Sequence, residues 1–293
     1  MSLFRSKIGL ALGGGAARGA VHIGVLKALE EQNIPLHAIS GTSIGAAIAA
    51  FYAFGKSVDE IHAIAREISM GSVSGFTLKK KGFSTTERLQ KLLVDVLGDV
   101  AIEDAKIPLA IVATNLLTGE KTIFTEGNLA KAVAASSAVP GLFVPVEIDG
   151  QEYVDGVLVE NVPVSALKPL GANVIIAVNL SGGVNYPAAV SVIDVINNAF
   201  DIAINTKTQS QLRDANVVVD LDLRYYSRID NREKTDELVY LGYQATHHRM
   251  ERIRWCLYTP FLQVLIRFYH QITPITMPDF IRNIRARYKT KIG

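Results

Sequence analysis

The stretch Gly41-Thr42-Ser43-Ile44-Gly45 sets a serine between two glycines in the spacing G-x-S-x-G. A serine hydroxyl can act as a nucleophile when the turn that carries it exposes the oxygen. The flanks fit that demand. Leu36–Ile39 is a short apolar run of strand type, and Ile44–Phe54 is alanine-rich and easily helical. Strand, sharp turn and helix is the setting of a nucleophile elbow. Gly41 and Gly45 keep side chains out of the turn. Ser43 then sits at a helix N-terminus, where unpaired amides favour negative charge.

An acyl-transfer site also needs a base and a set of donors for an oxyanion. Gly13-Gly14-Gly15-Ala16-Ala17-Arg18-Gly19 follows an apolar run and precedes a helical stretch. Glycine-rich turns at such a place present backbone N–H groups to an anion. A dinucleotide site fits poorly, because no G-x-G-x-x-G register is present. A Walker loop fails because no Gly-Lys-Ser/Thr follows. The remaining reading is an oxyanion hole built from the amides of Gly14, Gly15 and Ala16. Gly13 and Gly19 frame the loop, and Arg18 adds positive charge. That arginine has three open roles: holding the loop, meeting a substrate phosphate, or forming a structural ion pair.

The third element is Tyr153-Val154-Asp155-Gly156, an acid at the end of a strand-like run. In the order serine, acid, histidine, only His247, His248 and His270 follow Asp155. All three lie in or beside a basic C-terminal stretch and in no motif. His22 lies just after the glycine loop and reads as a packed or loop-orienting residue. A Ser43–Asp155 dyad is the simpler arrangement, with Asp155 taking the serine proton directly.

The elements that position these groups alternate. Strand-type runs occur at Ile8–Leu12, Leu36–Ile39, Leu109–Ala113, Val174–Leu180 and Val217–Leu221. Helical stretches occur at Val21–Gln32, Ile44–Phe54, Val58–Ser69, Thr85–Leu97, Leu129–Ser137 and Val192–Arg213. That alternation predicts an α/β fold with a largely parallel sheet. Ser84-Thr85-Thr86-Glu87 reads as a capping box with Ser84 as N-cap, and Thr114–Glu126 reads as a hairpin. Met70–Gly82, rich in Gly and Ser and carrying Lys79-Lys80-Lys81, reads as a solvated loop, as a flap at the mouth of the site, or as a contact for anionic headgroups.

Composition narrows the class. The 293 residues are 49% hydrophobic and 20% charged, which suits a globular core rather than disorder. The single cysteine, Cys256, allows no intrachain disulfide. The six histidines lack metal-ligand spacing, so no metal is expected. The N-terminus lacks a signal-peptide pattern, and the expected location is cytoplasmic.

The three elements, in this order, resemble the patatin-like phospholipases, and most of all the bacterial lysophospholipases related to neuropathy target esterase. Leu10–Glu31 is similar to that family's oxyanion segment and Ile39–Ala53 to its nucleophile segment. Leu109–Val146 resembles its central block and Tyr153–Val164 its aspartate segment. The resemblance spans residues 7–225, taken as the hydrolase domain. It implies a three-layer α/β/α fold, a Ser43 nucleophile, an Asp155 base and an oxyanion hole at Gly14, Gly15 and the Arg18 loop. It further implies hydrolysis of acyl esters in phospholipids or lysophospholipids, with no cofactor or metal. Acyl transfer or thioester cleavage through the same serine, and an inactive lipid-binding regulator, are the alternatives. Two positions depart from the family pattern: Ala16 stands where a glycine is common, and Val157 follows Gly156 where a smaller residue is usual.

Residues 226–293 are expected to form a helical, basic and aromatic extension. Residues 247–293 hold nine Lys/Arg against two acids, while residues 1–246 carry a net charge of −5. Aromatics mixed with basic residues suit either packing on the body or contact with an anionic membrane, including the inner face of the cell membrane. No nucleic-acid module is present. Pro260, Gln263, Arg267, His270 and Pro274 interrupt any apolar span of membrane length.

Overall fold

A computed structural model describes residues 6–67, 75–79, 82–182, 186, 188–190, 192–226 and 231–272. Strands and helices alternate through most of the chain, as the apolar runs predict. In order they are β1 (Ile8–Leu12), α1 (Ala20–Glu31), β2 (Leu36–Thr42), α2 (Ile44–Ala53) and α3 (Val58–Glu67). Next come β3 (Gly75–Lys79), β4 (Gly82–Thr85), α4 (Glu87–Leu97), β5 (Leu109–Asn115), β6 (Lys121–Phe124) and α5 (Leu129–Ser136). The chain continues with β7 (Val146–Ile148), β8 (Gln151–Asp155), β9 (Val174–Gly182), α6 (Val192–Leu212), β10 (Val217–Asp222) and α7 (Thr235–Ile272).

Eight strands form one sheet in the order β10-β9-β1-β2-β5-β8-β7, with β6 paired to β5. The run from β10 to β5 is parallel, and β6, β7 and β8 add an antiparallel flank. Every residue of β1 and β5 is buried. Strands covered on both faces need continuous apolar runs rather than alternation, and their sequences supply them. One face packs against α1, α2, α3, α4, α5 and α7 around Leu10, Ile23, Phe51, Ile61 and Leu238. The other is covered by the 156–170 segment and α6, through Val162, Val164, Leu167 and Leu212. The result is the expected three-layer α/β/α fold.

One detail differs from expectation. Ser84 does not cap a helix, because it belongs to β4: its N–H donates to Leu142 O and its carbonyl accepts from Val144 N. Helix α4 starts at Glu87 with Thr86 as N-cap and no side-chain cap bond. Helix α7 runs unbroken over 38 residues, through Pro260. Of the Met70–Gly82 stretch, residues 70–74, 80 and 81 fall outside the described residues, and β3 and β4 pair as a two-stranded ribbon.

Helix α7 is bound into the body by its first half. It crosses α1 so closely that a methyl group at Gly24 would run into Val239 O, and one at Gly242 into Val21 O. Only glycine permits such backbone-to-backbone contact. Asp236 at the start of α7 accepts from His62 and Arg66 of α3. No described helix is long and apolar enough to cross a membrane.

Candidate active site

The sheet register explains why distant segments meet. Gly41 of β2 lies level with Leu12 of β1 and Ile111 of β5. Ser43 therefore leaves β2 at the carboxyl edge of the parallel strands, beside the loop that leaves β1. Strand β2 ends its pairing at Thr42, opposite Val112. On that same edge of β5, β8 takes over, with Asp155 paired to Ala113, while β6 occupies the opposite edge. The acid thus enters the sheet one residue beyond the point where the nucleophile strand leaves it.

Ser43 adopts φ +56° and ψ −127°, a region that costs a non-glycine residue about 1–3 kcal/mol. The turn strain falls on the serine itself, and the glycines keep the turn uncrowded, as their spacing predicts. Gly41 and Gly45 are needed for space: side chains there would meet the backbone of Ala46 and of Leu12. The strained turn is held by Ser136, whose hydroxyl accepts from Ser43 N at 2.9 Å and donates to Val112 O at 2.6 Å.

Asp155 is 1% exposed. Its carboxylate accepts from Val157 N at 3.0 Å and is reached by the Ser43 hydroxyl. Burial pushes its pKa up to about 7, and these two donors hold it from rising further. Val157 thus aims the acid through its amide, while its side chain packs over Gly14. Gly156 lies against Val112 O and the Thr42 methyl, with no room for a side chain.

The glycine loop departs from one expectation. Gly13 N donates to Val178 O and Gly14 N to Asn161 O, each at 3.1 Å. The Gly14 amide is therefore engaged and does not turn toward an oxyanion. Among the described residues, no acceptor takes the amides of Gly15 and Ala16. Ala16 holds φ +51°, so the loop carries a second strained residue. Arg18 is buried and donates through Nη1 to Leu180 O, which makes it a loop anchor on β9. Gly19 packs against Ile44, locking the loop to the nucleophile helix.

His22 is wholly buried, and its Nε2 lies 2.8 Å from Gly13 O. Because a carbonyl can only accept, Nε2 carries the proton. Burial pulls the pKa of His22 down to about 4, so the ring stays neutral. His247 and His248 are exposed on α7 and do not line the cavity described next. The side chain of His270 falls outside the described residues.

Beside Ser43 lies an apolar cavity of about 130 Å³. Its walls come from α2 (Ile44, Ile48, Phe51), α3 (Ile61, Ile64) and α4 (Leu89, Leu92), with Val139 and Phe143. Asn231, just before α7, and Thr235, its first residue, complete it. Ser137 Oγ, buried and without a hydrogen-bond partner among the described residues, adds one polar point. An apolar chain fits this lining, with its polar end at Ser43. No cluster of potential metal ligands occurs among the described residues.

The patatin-like phospholipase family model matches residues 10–168, which contain Ser43, Asp155 and the glycine loop. The chain belongs to the patatin-like phospholipase family. It is 35% identical over 185 residues to an uncharacterized NTE family protein of Mycobacterium tuberculosis, covering 62% of this chain and 51% of that protein. It is 32% identical over 246 residues to lysophospholipase nte1 of Emericella nidulans, covering 79% of this chain and 16% of that protein. The chain thus spans about half the length of the mycobacterial relative and a small part of the fungal one.

Two solved structures share the fold. One is full-length ExoU from Pseudomonas aeruginosa in complex with SpcU, at TM-score 0.51 and 17% identity over 86% of this chain and 53% of that chain. The other is VipD from Legionella pneumophila, at TM-score 0.50 and 15% identity over 85% of this chain and 67% of that chain.

This patatin-like protein also uses residues that its sequence did not single out. The segment after Asp155 ties the site together through backbone carbonyls. Glu160 O accepts from Thr42 Oγ1, Asn161 O from Gly14 N, and Pro163 O from Ser40 Oγ. Glu160 fixes that segment, its buried carboxylate taking Lys121 Nζ at 2.9 Å and the Ser165 hydroxyl at 2.6 Å. Asn231 Nδ2 holds Ala17 O at 3.2 Å, so the segment leading into α7 braces the glycine loop as well as the cavity. The available signal was polar residues inside apolar runs, such as Ser136 at the end of the alanine-rich α5.

Proposed function

We propose that this protein is a serine acyl hydrolase that cleaves acyl esters of phospholipids or lysophospholipids. One observation carries the reading: a serine on a strained strand-to-helix turn, Ser43, and a buried carboxylate, Asp155, come together at the carboxyl edge of the sheet beside an apolar cavity, where burial raises the acid's pKa. Ser43 Oγ attacks the ester carbonyl as Asp155 accepts its proton. The Gly15 and Ala16 amides, joined by the Ile44 amide that opens α2, stabilise the oxyanion. Asp155 returns the proton to the leaving alcohol. It then activates a water that releases the fatty acid from Ser43. The acyl chain lies against Ile44, Ile48, Phe51 and Phe143.

The family and the lysophospholipase nte1 relative support the ester-hydrolase class. Lysophosphatidylcholine and diacylphosphatidylcholine are the substrates to try, with released fatty acid read by mass spectrometry. Ser43→Ala is expected to abolish release from whichever lipid the wild type cleaves. Equal release by the variant would refute the proposal, as would absence of release by the wild type from both lipids and from a soluble short-chain ester.

A further inference from the structure

The cavity beside Ser43 has a direction and an end. Helix α2 begins at the serine, and its side chains in the cavity wall are Ile44, Ala47, Ile48 and Phe51. Steps of three and four residues put all four on one face of the helix, so the wall runs away from Ser43 along α2. Phe51 is the last of them. At a rise of about 1.5 Å per residue, it lies about 12 Å along the axis from Ser43. Phe51 is 2% exposed, and Ile61, which lines the cavity from α3, is wholly buried. The deep end therefore closes in the hydrophobic core, not in solvent. The near end is the polar one. Ser136 holds Ser43 N there, and Ser137, the next residue, brings its unpartnered hydroxyl to the same end.

Size decides what fits between these ends. The cavity measures about 130 Å³. An apolar protein cavity of about 150 Å³ takes one benzene, that is, six carbons. Length gives a similar bound. With carbon–carbon bonds of about 1.5 Å, a zigzag chain advances about 1.3 Å per carbon, so 12 Å takes about nine carbons, and the Phe51 ring occupies part of that span. A sixteen-carbon chain, about 20 Å long by the same measure, outruns it. Methylenes beyond the limit must displace close-packed side chains, which costs more than their burial returns.

We infer that Phe51 sets the acyl-chain length: the cavity takes an acyl group of about six to eight carbons in full, and carbons beyond them gain nothing from it. The inference rests on the acyl-ester reading above and names the acyl class at that same site. Each methylene moved from water into the cavity is worth about fourfold in kcat/KM. Selectivity therefore climbs with chain length and stops at the phenyl ring. Ala47, one turn nearer to Ser43, controls the middle of the cavity, where a larger side chain would take the place of several carbons of the substrate.

The test is kcat/KM on p-nitrophenyl esters from acetate to palmitate, for the wild type, Phe51→Ala and Ala47→Leu. In the wild type the value should rise about fourfold per methylene up to hexanoate or octanoate, then level off or fall. Phe51→Ala should move that break to decanoate or beyond. Loss of a buried ring can unfold a protein, so Ala47→Leu gives an independent reading, leucine being a good helix former. Its hexanoate-to-acetate ratio of kcat/KM should fall at least about tenfold below that of the wild type. The same limit is read without catalysis from the affinity of 1-alkanols for Ser43→Ala by calorimetry, where the gain per methylene should end at the same length. A wild-type rise that continues past dodecanoate would overturn the inference. So would a flat wild-type profile from acetate onward, or an unmoved profile in either variant that folds. Failure of the ester-hydrolase reading is distinct: the wild type would then cleave none of the esters, while the alkanol series would still show whether the cavity has this limit.

Discussion

Asp155 and His22 are both wholly buried at the carboxyl edge of the sheet, yet burial leaves one able to exchange a proton near neutral pH and the other not. Each has lost water and each is pushed toward its neutral form. For the acid that means a rise, to about 7, and for the imidazole a fall, to about 4. The partners differ as well. Asp155 meets donors, the Val157 amide and the Ser43 hydroxyl, which stabilise its charged form. His22 spends its one proton on Gly13 O, and its Nδ1 has no partner among the described residues. Similar desolvation therefore produces a base in one place and a strut in the other, according to what each group faces.

The sharpest way to break the contrast is Asp155→Asn. The amide side chain can still accept from Val157 N but cannot take the serine proton. Activity should fall by about three to four orders of magnitude, as when one member of a coupled catalytic pair is removed. Stability should move the other way. A carboxyl whose pKa is raised on folding gives its full stability below the unfolded value and loses it as pH rises through the folded one. Above pH 7 the wild type therefore carries a burden of up to about 4 kcal/mol at Asp155, given its rise from 3.8 to about 7. The variant should melt several degrees higher at pH 8, and its advantage should shrink at pH 5. Thermal unfolding at the two pH values checks this. A variant no more stable at pH 8 than at pH 5, relative to wild type, would remove the argument for a strained buried charge.

The pH profile is the next test. If Asp155 works as the base, only its deprotonated form is active. The kcat/KM for a neutral ester should rise about tenfold per unit below pH 7 and level off above it. A plateau reaching down to pH 5 would point to a base other than Asp155.

Much of this site is legible in the sequence, because strand, turn and helix signals are local. The apolar runs at Ile8–Leu12 and Val217–Leu221, and the helices at Ile44 and Leu129, match the observed elements to within a residue or two. Gly41, Ser43 and Gly45 fall at the strand-to-helix turn where their spacing puts them. What stays hidden depends on partners distant in sequence. The engagement of Gly14 N follows from Asn161 O, 147 residues on. The grip of Ser136 on the serine turn joins α5 to β2 across the sheet. Ser84 reads as a cap because its three-residue spacing to Glu87 is a local pattern. The strand pairing that claims it comes from Leu142 and Val144. The crossing of α1 and α7 is written only as two isolated glycines in helical stretches, Gly24 and Gly242, which carry no signal until the helices are placed.

His22 offers the smallest and most discriminating effect. A histidine whose pKa is depressed on folding contributes stability that is present above pH 6.5 and is lost as pH falls through about 4. His22→Gln places an amide N–H where Nε2–H now meets Gly13 O, without a group that titrates. Activity at pH 8 should stay within about threefold of wild type, since one neutral hydrogen bond replaces another. The stability of the variant relative to wild type should improve steadily between pH 6.5 and pH 4. Its kcat/KM profile should keep its midpoint near 7, because that midpoint belongs to Asp155. His22→Ala should do worse than the glutamine variant, since it leaves the buried Gly13 carbonyl without this donor at a cost of about 1–3 kcal/mol. A midpoint displaced in His22→Gln, or activity lost there and retained in Asp155→Asn, would exchange the two roles: the imidazole would be the base and the carboxylate the strut.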